Sequence, residues 1–140
     1  MKKISAIEII VIILVIAVLI IYLAPQILNK KEDKIISQIK ADNAIFTSKI
    51  IEEFASNANI LPSVAAKKTA DELNKTQKNP YKRGKDLYII SKDTPGYSNV
   101  EYDNNIKMII VTTIDNNNSI VSRIVINPPS FVSYYKNENK

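Results

Sequence analysis

The chain has 140 residues, 46% of them hydrophobic, with no cysteine, no histidine and a formal net charge of +5. That length leaves room for one small domain once an apolar N-terminal segment is set aside. Without Cys there are no disulfides and no zinc–thiolate sites, without His the commonest general base is missing, and a mild positive excess spread along the chain reads as solvated surface.

Ile4 to Ala24 is apolar almost without a break and carries one ionisable group, Glu8. As an α-helix rising about 1.5 Å per residue it spans about 30 Å, the thickness of a bilayer's hydrocarbon core. Lys2 and Lys3 precede it and Pro25 closes it. The run is too long for an ordinary cleaved signal and no small-x-small site follows it. It therefore reads as an uncleaved signal anchor, with the C-terminal domain outside the cytoplasm. Glu8 is out of place, because a carboxylate at the centre of a membrane helix costs about 2.5–3.5 kcal/mol on insertion scales. Nearer the end it costs less. Either it lies at the interface or it has a partner, such as an amine of a neighbouring chain.

Pro25 lacks an N–H and is expected to kink the helix without ending it. Beyond it, Leu28, Ile35, Ile39, Phe46, Ile50, Phe54 and Ala58 form a helical stripe, widened by Ile36, Ile45 and Ile51. Lys30, Glu32, Lys34, Lys40, Asp42 and Glu53 are assigned to the polar side. This predicts an amphipathic helix over 26–60 that covers a sheet. The stretch 61–85 reads as a connecting helix and loop, with Ser63 as cap, Val64, Ala65, Ala66, Ala70 and Leu73 as a weak apolar face, and Asn79-Pro80 as the stop. It is the most basic region, and the solvated-face reading is preferred to an anionic partner such as DNA or wall polymer.

Residues 86–127 read as an antiparallel meander of three or four strands. Asp86–Ser91 is a strand, Thr94-Pro95-Gly96-Tyr97 a turn of type II pattern, and Ser98–Tyr102 a short strand. Ile106–Ile114 and Ser119–Asn127 form a hairpin about an Asn-rich turn. Ile120, Ile124 and Ile126 are expected on one face with Ser122. Asp115-x-Asn117-x-Ser119 has oxygen ligands at alternate positions but lacks the bidentate carboxylate of a calcium loop, so it reads as a turn. Residues 128–140 read as a polar tail, with Phe131, Val132, Tyr134 and Tyr135 placed to tuck onto the sheet. No catalytic or metal-ligating constellation is present, and no cofactor is implied.

Ile4-Ser5-Ala6-Ile7-Glu8 and the apolar run after it resemble the mature start of type IV pilins and of the pseudopilins of type II secretion and competence systems. Pro25 lies seventeen residues after Glu8, where that family also carries a proline. The resemblance covers Met1 to about Leu28. It implies a pilin-like α+β fold, a long N-terminal helix, half transmembrane (4–25) and half amphipathic, packed on a small antiparallel β-sheet. It implies that 1–3 is a short basic leader, cut between Lys3 and Ile4 by a prepilin peptidase, and that the freed amine is methylated. The family's leader glycine is replaced by Lys3, so the chain either keeps its leader or meets a peptidase that accepts lysine. The implied role is a minor pilin or pseudopilin, not an enzyme. Its implied partners are other pilin-like subunits in a homo- or hetero-filament, the membrane and an assembly platform, with no nucleic acid. Glu8 and Pro25 would act in subunit assembly, Glu8 by pairing with the N-terminal amine of an adjacent subunit. The alternative is a single-pass anchored extracytoplasmic binding domain that does not polymerise.

Overall fold

The computed structural model describes residues 5–128 and 130–135. It is an α+β chain. Helices α1 (Ala6–Ser56) and α2 (Pro62–Asn74) precede strands β1 (Tyr88–Ile90), β2 (Ser98–Asp103), β3 (Met108–Ile114), β4 (Ile120–Asn127) and β5 (Ser130–Tyr135). The chain divides into two compact units, Met1–Ile35 and Ile36–Lys140.

The first unit is helical. Its segment Ala6–Leu23 is 18 residues long with none of its residues buried, and at about 1.5 Å per residue it covers about 27 Å. A helix apolar on every side has nothing in its own unit to cover it, so lipid or other helices must. Among the described residues it is the one helix long and apolar enough to cross a membrane. The helix continues through position 25. The kink expected at Pro25 falls among residues 24–29, whose side chains lie outside the described structure.

In the second unit, the remainder of α1 buries Ile39, Phe46 and Ile50 completely and Phe54 almost so. The stripe continues through Asn43 and Thr47, which are also buried. Asp42, assigned from sequence to the polar side, is only 9% exposed. It occupies the edge of the stripe, between Ile39 and Phe46. The helix ends at Ser56, before the expected end at residue 60; Asn57 turns the chain there and its side chain accepts the Asn59 N–H. Helix α2 starts at Pro62, earlier than expected, and Ser63 is not its cap. Instead the Ser63 N–H donates to the side chain of Asn104, in the turn between β2 and β3, at 3.0 Å. A free N–H of the first turn is thus satisfied from 41 residues away, and proline suits the first turn because its missing N–H would have no helical partner. Ala65, Ala66, Thr69, Ala70 and Leu73 are buried, and these short side chains bring α2 close to β1 and β2.

The sheet has five strands in sequence order, β1-β2-β3-β4-β5. It is mixed, not the antiparallel meander expected, because β1 pairs with β2 in parallel. The Pro95-Gly96 turn does form, with Gly96 at φ 83°. A second bend at Lys92–Asp93 precedes it, and two reversals in series return the chain to its starting direction. Asn99 holds this short link. Its amide oxygen accepts the Thr94 N–H at 2.9 Å and its Nδ2 reaches the carbonyls of Thr94, Tyr97 and Thr112. The hairpin β3–β4 is antiparallel as expected but contains a register shift at Thr113/Ile114. Thr113 opposes Ser122 and Ile114 opposes Ile120, so Val121 is the extra residue of a bulge. Val121 is therefore buried and Ile120 exposed, which reverses the expectation for Ile120. Residues 130–135, read from sequence as tail, form β5 against β4.

The face of the sheet that α1 covers is read off the register. Val100, Val111 and Ile124 form one buried cross-strand row, and Ile109 and Ile126 another. Full burial of such side chains is worth about 1.5–3 kcal/mol each. The Phe46 ring lies 4.8 Å from the Tyr88 ring between centroids. At the β5 side, Lys40 sits 5.0 Å over the Tyr135 ring.

Candidate functional site

The N-terminal segment is the strongest functional candidate, and its chemistry is concentrated at Ser5 and Glu8. The first turn of any helix leaves backbone N–H groups without helical acceptors, and away from water such groups are costly. Here the Ser5 N–H donates to Glu8 Oε2 at 2.7 Å, and the Glu8 N–H donates back to Ser5 Oγ at 3.3 Å. The first helical bond runs from the Ile9 N–H to the Ser5 carbonyl at 3.2 Å. This is a reciprocal capping box, with Ser5 as the cap and Glu8 three residues on. The carboxylate also lies at the positive end of the helix dipole, where negative charge is favoured. Glu8 thus has a partner within its own chain. The signal is present in the sequence as Ser-x-x-Glu before an apolar run, where the isolated charge overshadows it.

The other residues singled out from sequence are not gathered with Glu8. Pro25 is seventeen residues further along the same helix, about 25 Å at the usual rise. Lys3 and Ile4, the expected cleavage pair, lie outside the described residues. Every side chain from Ser5 to Leu23 is exposed, so the segment presents an unbroken apolar cylinder headed by one carboxylate.

A second feature, which sequence reasoning missed, is a buried polar cluster under the second unit's part of α1. Asn43 Nδ2 donates to Thr113 Oγ1 at 3.1 Å and to Ser122 Oγ at 3.0 Å. The Tyr88 hydroxyl donates to Asn43 Oδ1 at 3.3 Å. Ser98 Oγ lies 2.7 Å from Thr113 Oγ1, so the cluster joins the helix to four strands. Thr47 Oγ1 closes it by donating to the Asn43 carbonyl at 2.8 Å. Burial pushes the Tyr88 phenol far above its ordinary range, with the nearby Asp42 carboxylate adding to the effect. Burial also raises the Asp42 carboxyl, whose Oδ2 has no hydrogen-bond partner. The signal in sequence was the missing apolar residue midway between Ile39 and Phe46, which is where Asn43 stands.

The Asp115 turn behaves as a turn. Asp115 Oδ1 accepts the N–H groups of Asn117 and Ser119, both at 2.9 Å. Among the described residues no group of three or more His, Cys, Asp or Glu is placed to hold a metal ion. No protein-family model, curated protein or solved structure significantly matches this chain.

Proposed function

We propose that the protein is a membrane-anchored, pilin-like subunit, a minor pilin or pseudopilin, that assembles with other such subunits through its N-terminal helix. The observation that carries this reading is the composition of α1. One helix, Ala6–Ser56, begins as an uncovered apolar cylinder of membrane length headed by Glu8 and ends as the cover of a small sheet. Its start resembles the pilin segment in the run Ile4–Ile12 and in the spacing of Glu8 to Pro25. In the membrane the cylinder is covered by lipid, and in a filament by the same cylinders of neighbouring chains. Glu8 then sets the axial register by meeting an amine of the next subunit, because an unpaired charge in an apolar bundle is strongly penalised.

The second reading, an anchored domain that does not polymerise, is favoured by the capping box, which occupies Glu8 within its own chain. Two variants separate them. Glu8→Gln keeps an oxygen for the Ser5 N–H but removes the charge, whereas Glu8→Ala removes both. In the native host, the filament reading expects both variants to insert in the membrane and both to be lost from sheared filament fractions. Incorporation of Glu8→Gln at wild-type level would show that only the cap matters and would defeat the register role.

A further inference from the structure

The chain's whole formal excess of +5 is matched by one loop. Residues 75–85 carry Lys75, Lys78, Lys82, Arg83 and Lys85 and no carboxylate, so the rest of the chain is balanced. The excess is therefore not spread along the chain, as its composition first suggested. Three of these cations, Lys78, Arg83 and Lys85, line a cleft of about 430 Å³ after α2. None of the three forms an ion pair among the described residues. Asp86 is the cleft's one carboxylate, so its walls keep an excess of two positive charges.

The cleft is built on two asparagines that leave its loop little freedom. Asn79 Oδ1 accepts the N–H groups of Tyr81 and Lys82, and its Nδ2 donates to the carbonyls of Asp86 and Gly96. Asn74 Oδ1 accepts the N–H groups of Leu87 and Tyr88, and its Nδ2 donates to the Tyr88 carbonyl. Gly84, at φ 75°, completes the turn that places Arg83 and Lys85 on either side of it.

We propose that this cleft binds a small-molecule phosphate monoester. The net charge of the walls matches a phosphate monoester, which carries about −1.5 to −2 at neutral pH. Arg83 supplies the planar fork that suits phosphate oxygens, and Lys78 and Lys85 supply point charges. The volume falls within the range of small-ligand pockets. The site is independent of how the N-terminal helix assembles.

The test is a titration of the ¹⁵N-labelled full chain in non-ionic detergent micelles with glycerol 3-phosphate at constant ionic strength. The expected result is a saturable set of amide shifts confined to residues 77–86, competed by inorganic phosphate. Arg83→Gln and Lys85→Gln should each weaken binding about fivefold or more, the scale of one charge-assisted hydrogen bond. Lys67→Gln, which removes an exposed cation of α2, should leave it unchanged. Micelles doped with a phosphatidate lipid distinguish a membrane-borne source from a free one. Shifts that do not saturate, equal losses in Lys67→Gln, or binding only to long polyanions would overturn the site.

Discussion

Replacing Asn43 by alanine should be among the most damaging substitutions in the second unit, and its cost can be worked from the contacts. The change removes hydrogen bonds to Thr113, Ser122 and Tyr88. Thr113 keeps Ser98 as a neighbour at 2.7 Å, whereas the buried Ser122 and Tyr88 hydroxyls lose a partner. Leaving a buried polar group unsatisfied costs about 1–3 kcal/mol, so two give about 2–6 kcal/mol before any cavity is counted. Small domains have only about 5–15 kcal/mol in total. For a domain of this size each kcal/mol lowers the melting temperature by at least about 4 °C, so the drop should reach about 8 °C or more.

The assay is thermal and urea unfolding of the full chain in micelles, followed by near-ultraviolet circular dichroism of the tyrosines. The compensated variant Asn43→Leu/Tyr88→Phe/Ser98→Ala/Thr113→Val/Ser122→Ala, which removes every hydroxyl that the Asn43 and Thr113 side chains partner, is the sharper half of the experiment. Replacing both sides of a buried polar contact by apolar groups of similar shape can be nearly neutral, so this variant should recover most of the loss. A cost below about 1 kcal/mol for Asn43→Ala, or a compensated variant as unstable as the single one, would refute the claim that partner satisfaction governs this cluster.

Two further outcomes follow from the same unit. Burial raises the Asp42 carboxyl above its ordinary value of 3.8, so ionising it costs more in the folded chain than in the unfolded one. That penalty is absent below the ordinary value and fully present above the raised one. Asp42→Asn should therefore raise the melting temperature at pH 7 and lose its advantage near pH 3; a variant less stable than wild type at pH 7 would contradict this. For the glycines, Gly96→Ala combines a positive φ of 83° with a new Cβ 2.9 Å from Asn116 Oδ1. Gly84→Ala at φ 75° meets open space. A left-handed backbone costs an L-residue about 1–2 kcal/mol, so both variants should melt lower, Gly96→Ala by the larger margin, and the reverse order would count against the packing argument.

What the sequence made legible was periodicity. The membrane-length run, the stripe Ile39–Phe46–Ile50–Phe54, the Ala-rich face of α2 and the β3–β4 hairpin all follow from spacing alone. What it concealed depends on contacts between distant residues. The parallel β1–β2 pair arises because two bends lie in one short link and Asn99 holds them, and no local pattern distinguishes that link from a hairpin. The Val121 bulge exchanges which side chain is buried, so the alternation that places Ile124 and Ile126 correctly misplaces Ile120. β5 lacks the polar alternation expected of a half-buried strand because its side chains remain largely exposed on both faces. At the candidate site the Ser5–Glu8 box was legible but outweighed by the anomaly of the charge. The Asn43 cluster showed only as a gap in an apolar stripe.

The capping box changes what Glu8 argues for. A cap needs an acceptor for the Ser5 N–H, and glutamine would serve as well as glutamate. The charge adds a helix-dipole term of about 0.3–1 kcal/mol, and in an apolar surrounding it costs more than that unless water or a cation is near. The cap therefore explains the position of the residue but not the use of a carboxylate where an amide would serve. Two settings restore the balance. One is a helix start held at the wet interface of the membrane. The other is a cation from another chain, which under the proposed assembly is the terminal amine of a neighbour. The two settings differ in salt dependence, because exposed charges are screened at a Debye length of about 8 Å at physiological ionic strength and buried pairs are screened far less. An assembly that depends on the Glu8 charge yet resists high salt points to the buried pair. A charge dependence that vanishes with salt returns Glu8 to the interface, in the role of a cap.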